Sequence, residues 1–279
     1  MLPPLARRFL AGETAAEALE HARRRDSEGI NTILNLLGEH YADPAEAAAD
    51  AQAYCQLIQD IAGTDLHVCI SVKPTQLGLD VGEATFRKHL NAVVERAAAE
   101  NVFVWIDMEA HDTVDATLDA FETQARKHDG GVGVCVQANL RRTGEDLERL
   151  AGLPGKVRLV KGAYNPPTAV AYQSSTRVDE QAAKHLRYMF RAFDDGIALG
   201  SHDPALITLA ADLHATYKTP YEIQMLAGVR TGAQRELAKH HDLSQYVPYG
   251  KKWPAYFYRR MTERTENITF ALRALAPFE

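Results

Sequence analysis

A series of side chains able to hold an anion or move a proton stands at the ends of short apolar runs. They are Glu39, Lys73, Asp107 with Glu109, Gln137, Lys161 with Tyr164, His202 with Asp203, Gln224 and Tyr246. If the runs are strands of one parallel barrel, these groups converge on one mouth, because such barrels carry their active sites at the carboxyl ends of the strands. Polar residues at so many run ends exceed what helix capping needs. Some are structural all the same: Asp203 precedes Pro204 and reads as a helix N-cap, and Glu39 could simply pair with a neighbouring loop. A buried lysine at a strand end, 73 or 161, is also the residue that forms a Schiff base with a carbonyl substrate. That chemistry, a Schiff-base lyase or aldolase, stands as an alternative to anion binding, and a noncatalytic binding barrel is a further one.

The densest aromatic and basic region is Tyr246-Val-Pro-Tyr249-Gly250, followed by Tyr256-Phe-Tyr258-Arg259-Arg260-Met-Thr-Glu263. Adjacent arginines on a helix point about 100° apart, so both reach one ligand only when the helix end approaches from above. A planar guanidinium pair matches a carboxylate, and Glu263, one turn on, would hold a guanidinium fork in place. The same residues would also suit a solvated basic face. Metal chemistry is not expected: the 11 histidines include no His-Glu-x-x-His spacing, and His240 and His241 merely adjoin. A nucleophile elbow and a Walker loop are absent too.

Eight runs must position these groups: from Ile30, Leu66, Val102, Val132, Val157, Ile197, Tyr221 and Ser244. Nearly every one is followed by a helix-start signal. Asp43-Pro44-Ala45-Glu46 combines an N-cap with a first-turn proline. Asp80-x-x-Glu83, Thr143-x-x-Asp146, Asp203-Pro204 and Thr231-x-x-Gln234 repeat the pattern, and Thr14-x-x-Glu17 opens a helix before the first run. Strand, loop, capped helix, strand, repeated about eight times, predicts an α/β protein of the (βα)8 TIM-barrel type. The near-continuous apolar character of the runs suits parallel strands covered outside and packed inside. Gly130-Gly131-Val132-Gly133 precedes a strand, so it reads as a turn and not as a dinucleotide fingerprint. We expect one domain over residues 1–279, with a leading helix at about 14–28 and a C-terminal helix carrying the arginine pair. The proline-containing stretch between Tyr164 and Asp179 predicts a long loop of the kind that acts as a lid.

Composition excludes several classes. The chain is 46% hydrophobic and 24% charged with a net charge of −6, so it offers no field to gather nucleic acid. No stretch approaches the roughly 18 apolar residues of a membrane span. The first residues lack a signal-peptide core, so a cytoplasmic location is expected. Cys55, Cys69 and Cys135 form no Cys-x-x-Cys pair and read as core thiols. His21 to Arg25 reads as a solvated helix end.

The motifs SVKPTQLGLD, WIDME, VQANLRRT, RLVKGAY, GSHDP, IQMLAGVR, YVPYG and AYFYRRMTER together resemble the proline dehydrogenases, specifically the compact bacterial monofunctional type. The resemblance covers nearly the whole chain, and RLVKGAY with the terminal arginine pair is its most specific combination. It implies a distorted (βα)8 barrel that holds FAD noncovalently, oxidises L-proline to Δ1-pyrroline-5-carboxylate and passes electrons to a quinone. It further implies a functional link to a pyrroline-5-carboxylate dehydrogenase and a peripheral contact with the inner face of the cell membrane. By the same resemblance Lys73, Arg259 and Arg260 bind the substrate carboxylate, and Asp107, which sits beside that lysine, and Arg158 are the expected catalytic residues. Arg158 and Gln137 contact the flavin ring, Lys161, Gly162 and Ala163 line the cofactor, and Met108, Ser201 and His202 surround it. Tyr164, Tyr246, Tyr256 and Leu226 wall the proline ring, while Glu39 pairs with the second arginine as a gate. Two departures from relatives are GSHDP in place of Ala-Thr-His and Pro74 in place of leucine. Tyr246 stands where relatives that accept hydroxyproline carry serine, so its ring is expected to disfavour a 4-hydroxyl.

Overall fold

The structure is a computed structural model that describes residues 6–254. Its strands are β1 (Asn31–Leu36), β2 (Val68–Val72), β3 (Val104–Ile106), β4 (Val132–Gln137), β5 (Lys156–Val160), β6 (Ile197–Gly200), β7 (Tyr221–Leu226) and β8 (Leu243–Tyr249). They pair in sequence order as a closed, all-parallel barrel, sealed by β8 against β1 from Asn31↔Ser244 to Leu36↔Tyr249. Each of the eight apolar runs is therefore a strand. The helices are α1 (Ala15–Asp26), α2 (Pro44–Ala62), α3 (Glu83–Ala99), α4 (Val114–Lys127), α5 (Thr143–Leu150), α6 (Ser175–Ala192), α7 (Pro204–Tyr217) and α8 (Thr231–Leu237). Outward strand residues such as Leu34, Ile70, Val134 and Ile223 meet Phe86, Leu90, Phe121 and Leu186 of the helices in the main core. Each fully buried side chain of this size contributes about 1.5–3 kcal/mol.

Three of the cap signals hold. Thr14 and Glu17 form a reciprocal capping box, and Asp43 and Asp203 accept from Ala45 and Ala205 N–H ahead of first-turn prolines. The other three do not. Gly82 occupies the N-cap of α3, and Asp80 turns instead to the His40 ring at 2.9 Å. Thr143 lies inside α5, where its hydroxyl donates to the Gln137 carbonyl. Thr231 likewise follows a left-handed Arg230 cap, and Gln234 turns into the core to donate to the Leu226 and Val229 carbonyls.

Further expectations need correction. The inside of the cylinder is only partly apolar: Ile33, Trp105 and Ala198 pack with Cys69, Phe103 and Tyr246, and polar side chains fill the rest. Only Cys135 among the cysteines is fully buried, Cys55 and Cys69 being half-buried. The His21–Arg25 cluster is solvated only in part, because His21 bonds to Gln245 at 2.7 Å and Arg25 pairs with Glu28. Gly133 belongs to β4 itself, where a Cβ would overlap the Trp105 indole. The long loop expected after β5 is present between Val160 and Ser175, and part of it is docked: Leu140 bridges Ala171, Arg141 N–H donates to the Val170 carbonyl, and Tyr172 N–H donates to the Asn139 carbonyl.

Candidate active site

Side chains alternate across a strand, so inward positions recur every second residue. On β2 this face presents Ser71 and then Lys73, on β3 Trp105 and then Asp107, on β5 Arg158 and on β8 Tyr246. The structure brings these six together. One Asp107 oxygen accepts from Ser71 Oγ at 2.6 Å and from Arg158 Nη2; the other accepts from Lys73 Nζ at 3.0 Å and Tyr246 OH at 2.7 Å. The Arg158 guanidinium lies 4.9 Å from the Trp105 ring centre and 5.7 Å from that of Tyr246, and its Nη1 donates to Gln224. Arg158 is 4% exposed and Asp107 is 7% exposed, so the charges interact through protein instead of water.

Burial alone would favour a neutral Asp107, yet Lys73, Arg158 and the hydrogen bonds from Ser71 and Tyr246 overcome it and hold the carboxyl well below its ordinary range. Burial likewise opposes charge on Lys73, and Asp107 reverses that, leaving the ammonium firmly protonated. Two cations share one directly contacting carboxylate, with Glu109 only within electrostatic reach of Lys73, so the direct contacts leave positive charge unmatched at the mouth. A carboxylate ligand at the mouth would neutralise it.

A second set lies around the ends of β4, β5 and β6. Gln137 donates to the Glu109 carbonyl at 2.9 Å, and Met108 is buried beside it in sequence. The Glu109 carboxylate is taken up by Thr75, whose N–H and hydroxyl donate to it at 2.8 and 2.9 Å; burial raises its pKa. It is a structural clamp and not a mouth residue. Lys161 lies between Asp179 at 2.6 Å and Asp203 at 2.7 Å, so Asp203 both caps α7 and holds this lysine. Burial works against the Lys161 charge, but the two carboxylates raise its pKa. Gly162 has φ +112° and Ala163 is exposed. Ser201 Oγ accepts from Asp203 N–H at 3.1 Å. His202 Nε2 accepts from Leu226 N–H at 3.0 Å, which puts the ring proton on Nδ1. Burial, helped by the charge of Arg230, pushes this imidazole down to about 4.

The remaining expected residues are placed as follows. Tyr164 is half-buried after β5, within electrostatic reach of Lys73. Leu226, at the end of β7, is a large apolar side chain left 42% exposed. Glu39 is half-buried in the loop after β1. Tyr256, Arg259, Arg260 and the helix expected to carry them lie outside the described residues. Among the described residues, no three His, Cys, Asp or Glu side chains gather in a metal-binding arrangement.

Ser71, Trp105 and Glu222 were missed as site residues, and Gln224 was recognised only as a strand end. Their signal was the two-residue alternation: each stands two positions from a polar residue on the same strand face.

The fold and the site define a parallel (βα)8 barrel with a buried, cation-rich cluster under its mouth. A family model for proline dehydrogenase matches residues 18–273. Proline dehydrogenase 1 of Bacillus subtilis is 34% identical over 274 residues, covering 97% of this chain and 90% of that protein. Proline dehydrogenase of Deinococcus radiodurans is 31% identical over 281 residues, with the same coverage of 97% and 90%. Among solved structures, proline utilization A from Bdellovibrio bacteriovorus, inactivated by N-propargylglycine, superposes with a TM-score of 0.83 at 22% identity. This chain aligns over 94% of its length and spans 33% of that larger one, a likeness of fold. The chain belongs to the proline dehydrogenase family.

Proposed function

We propose that this chain oxidises L-proline to Δ1-pyrroline-5-carboxylate, the first step of proline catabolism to glutamate, with a noncovalently held FAD as hydride acceptor and a quinone as onward acceptor. The carrying observation is the buried Lys73, Asp107, Arg158 and Tyr246 cluster with its unbalanced positive charge, in a chain of this family. The Lys73 ammonium has three N–H donors, of which Asp107 takes one. With Arg259 and Arg260 it would grip the substrate carboxylate, while Leu226, Tyr164, Tyr246 and Tyr256 cover the ring and Glu39 gates the arginines. Asp107, held ionised and already accepting four hydrogen bonds, acts as a charge partner and not as a proton acceptor.

One feature fits a flavin beside this cluster. A Cβ on Gly162 would overlap the Asn139 carboxamide, so glycine there lets that side chain pack against the backbone. Asn139 Oδ1 itself is buried with no hydrogen-bond partner among the described residues, an acceptor waiting for a donor. Flavin, when bound, supplies a two-electron acceptor for the hydride that leaves proline's ring carbon next to nitrogen. Arg158, fixed between two aromatic rings, would stabilise negative charge developing on that acceptor. Gln137, Met108, Lys161, Gly162, Ala163, Ser201 and His202 would line the group.

The Schiff-base alternative lacks support. A nucleophilic lysine must shed its proton, and both Lys73 and Lys161 are held protonated by carboxylates. The product is a substrate for a pyrroline-5-carboxylate dehydrogenase, which gives the functional link. The quinone would be met at the inner face of the membrane, by peripheral contact from the cytoplasmic side; no helix among the described residues is long and apolar enough to cross it.

Purified protein should show flavin absorption bands and bleach anaerobically with L-proline. A colourless protein that gains no activity on addition of FAD would overturn the reading. Tyr246→Ser should raise the relative rate with hydroxyproline, and an unchanged ratio removes that tyrosine from the ring wall.

A further inference from the structure

Arg158 is held from two sides. Asp107 takes Nη2, and Gln224 Oε1 accepts from Nη1 at 3.0 Å. The second contact crosses a whole strand, since Arg158 is on β5, Gln224 is on β7, and β6 lies between them. It can form because β6 presents only Ala198 and Gly200 at the positions paired with Arg158 and Gln224. A Cβ on Gly200 would come 2.7 Å from Val160 Cγ1 and 3.3 Å from Arg158 Cγ.

A glutamine carboxamide can present either its oxygen or its NH2, and NH2 against a guanidinium would set donor against donor. The choice is made one step deeper in the barrel. Gln224 Nε2 donates to Glu222 Oε1 at 2.6 Å, and Ser244 Oγ donates to Glu222 Oε2 at 3.3 Å. Both carboxyl oxygens have a partner; burial raises the Glu222 pKa, and Lys156 with the bonds from Gln224 and Ser244 works against that shift. Glu222 is 7% exposed and Gln224 3%, so neither contact is exchanged for bulk water. Lys156 Nζ, 3.9 Å from Glu222 at the opposite end of the strands, supplies the nearest opposite charge.

We infer that Glu222 is a positioning residue for Arg158: by accepting from Gln224 Nε2 it turns the Gln224 oxygen toward the guanidinium and fixes its plane between Trp105 and Tyr246. The contacts of Glu222 are to Gln224, Ser244 and Lys156. It acts through two side chains to set where one positive charge sits. The inference rests on the proposed role of Arg158 beside a flavin, but the hydrogen-bond relay can be tested apart from that role.

The test uses the full chain with Glu222→Gln, Gln224→Met and Ser244→Ala. In Glu222→Gln the acceptor charge is lost and the amide pair can reverse. The expected result is a tenfold or greater fall in the rate of anaerobic flavin reduction at saturating L-proline, with KM changed less than threefold and a more negative flavin potential. Gln224→Met should do the same, and Ser244→Ala should have a smaller effect in the same direction. Nitrogen-15 NMR of arginine-labelled protein without added flavin supplies the second readout. Arg158 Nη resonances resolved by restricted rotation in the unmodified chain should average together in Glu222→Gln. Reduction rate, potential and Nη resonances all unchanged in Glu222→Gln and Gln224→Met, with melting temperatures retained, would overturn the inference. If Glu222→Gln does not fold, Gln224→Met decides by the same readouts. If the unmodified protein neither binds flavin nor oxidises proline while the Nη resonances respond as expected, the function reading has failed and the positioning of Arg158 stands.

Discussion

Two lysines at the ends of strands β2 and β5 sit in opposite electrostatic surroundings. Lys73 shares the single carboxylate of Asp107 with Arg158, so the direct contacts leave positive charge unmatched. Lys161 has Asp179 and Asp203 to itself, which leaves a negative charge in excess. Burial differs too: the Lys73 side chain is 11% exposed and that of Lys161 33%. The first arrangement stores an unmet demand for an anion in a low-dielectric place. The second satisfies its lysine and ties a strand end to a helix start, so Lys161 would meet the proposed flavin with its charge already matched and is no site for the substrate carboxylate. Residue type alone cannot separate the two, because each is a lysine following an apolar strand.

The largest expected effect comes from removing the shared anion. Asp107→Ala leaves Lys73 and Arg158 buried side by side, and we expect about 3–5 kcal/mol of lost stability in urea denaturation together with loss of proline turnover. A small loss would mean that water reaches the cluster. Lys73→Met comes next. KM for L-proline should rise 30- to 100-fold, about 2–3 kcal/mol of carboxylate binding, with a smaller change in kcat. Equal falls in kcat with unchanged KM would move the anion site elsewhere.

Acid should separate the two regions. His202, beside the Lys161 pair, and His185 on α6 are each pushed down to about 4 by burial. At these two sites the unfolded chain binds more protons between pH 6.5 and 4, so they cost stability as pH falls through that window, while the raised pKa of Glu109, Glu222 and Asp146 acts the other way at its acidic end. About 2 kcal/mol per imidazole is expected, while Asp107 stays ionised. Urea midpoints at pH 7, 5.5 and 4.5 test this, and a flat profile would contradict it. Smallest of all is Lys161→Met: its pair is partly solvated, so we expect about 0.5 kcal/mol in stability and an unchanged KM for proline. A KM shift as large as that of Lys73→Met would erase the distinction between the two lysines.

The barrel was legible because eight β-branched runs alternate with capped helices, and a closed parallel sheet is how such units bury both faces. The caps that failed show the limit of local reading. Thr143 and Thr231 have the right type, but tertiary partners drew the helix start one residue earlier and turned Gln234 into the core. Lys73, Asp107 and Tyr246 were visible as polar residues ending apolar runs. That Asp107 serves two cations was not, because register across β2, β3, β5 and β8 decides which inward residues meet. Glu222 and Gln224 show the same gap: alternation gives their face, and only the closed barrel gives Arg158 as their neighbour.

The small residues of β6 carry this to its end. Ala198 and Gly200 bind nothing and titrate nothing, yet the space they leave is what lets an arginine on one strand meet a glutamine two strands away. In a saturation scan of this chain, they should tolerate as few substitutions as Arg158 itself. A survey that ranks positions by chemical functionality would rank them last.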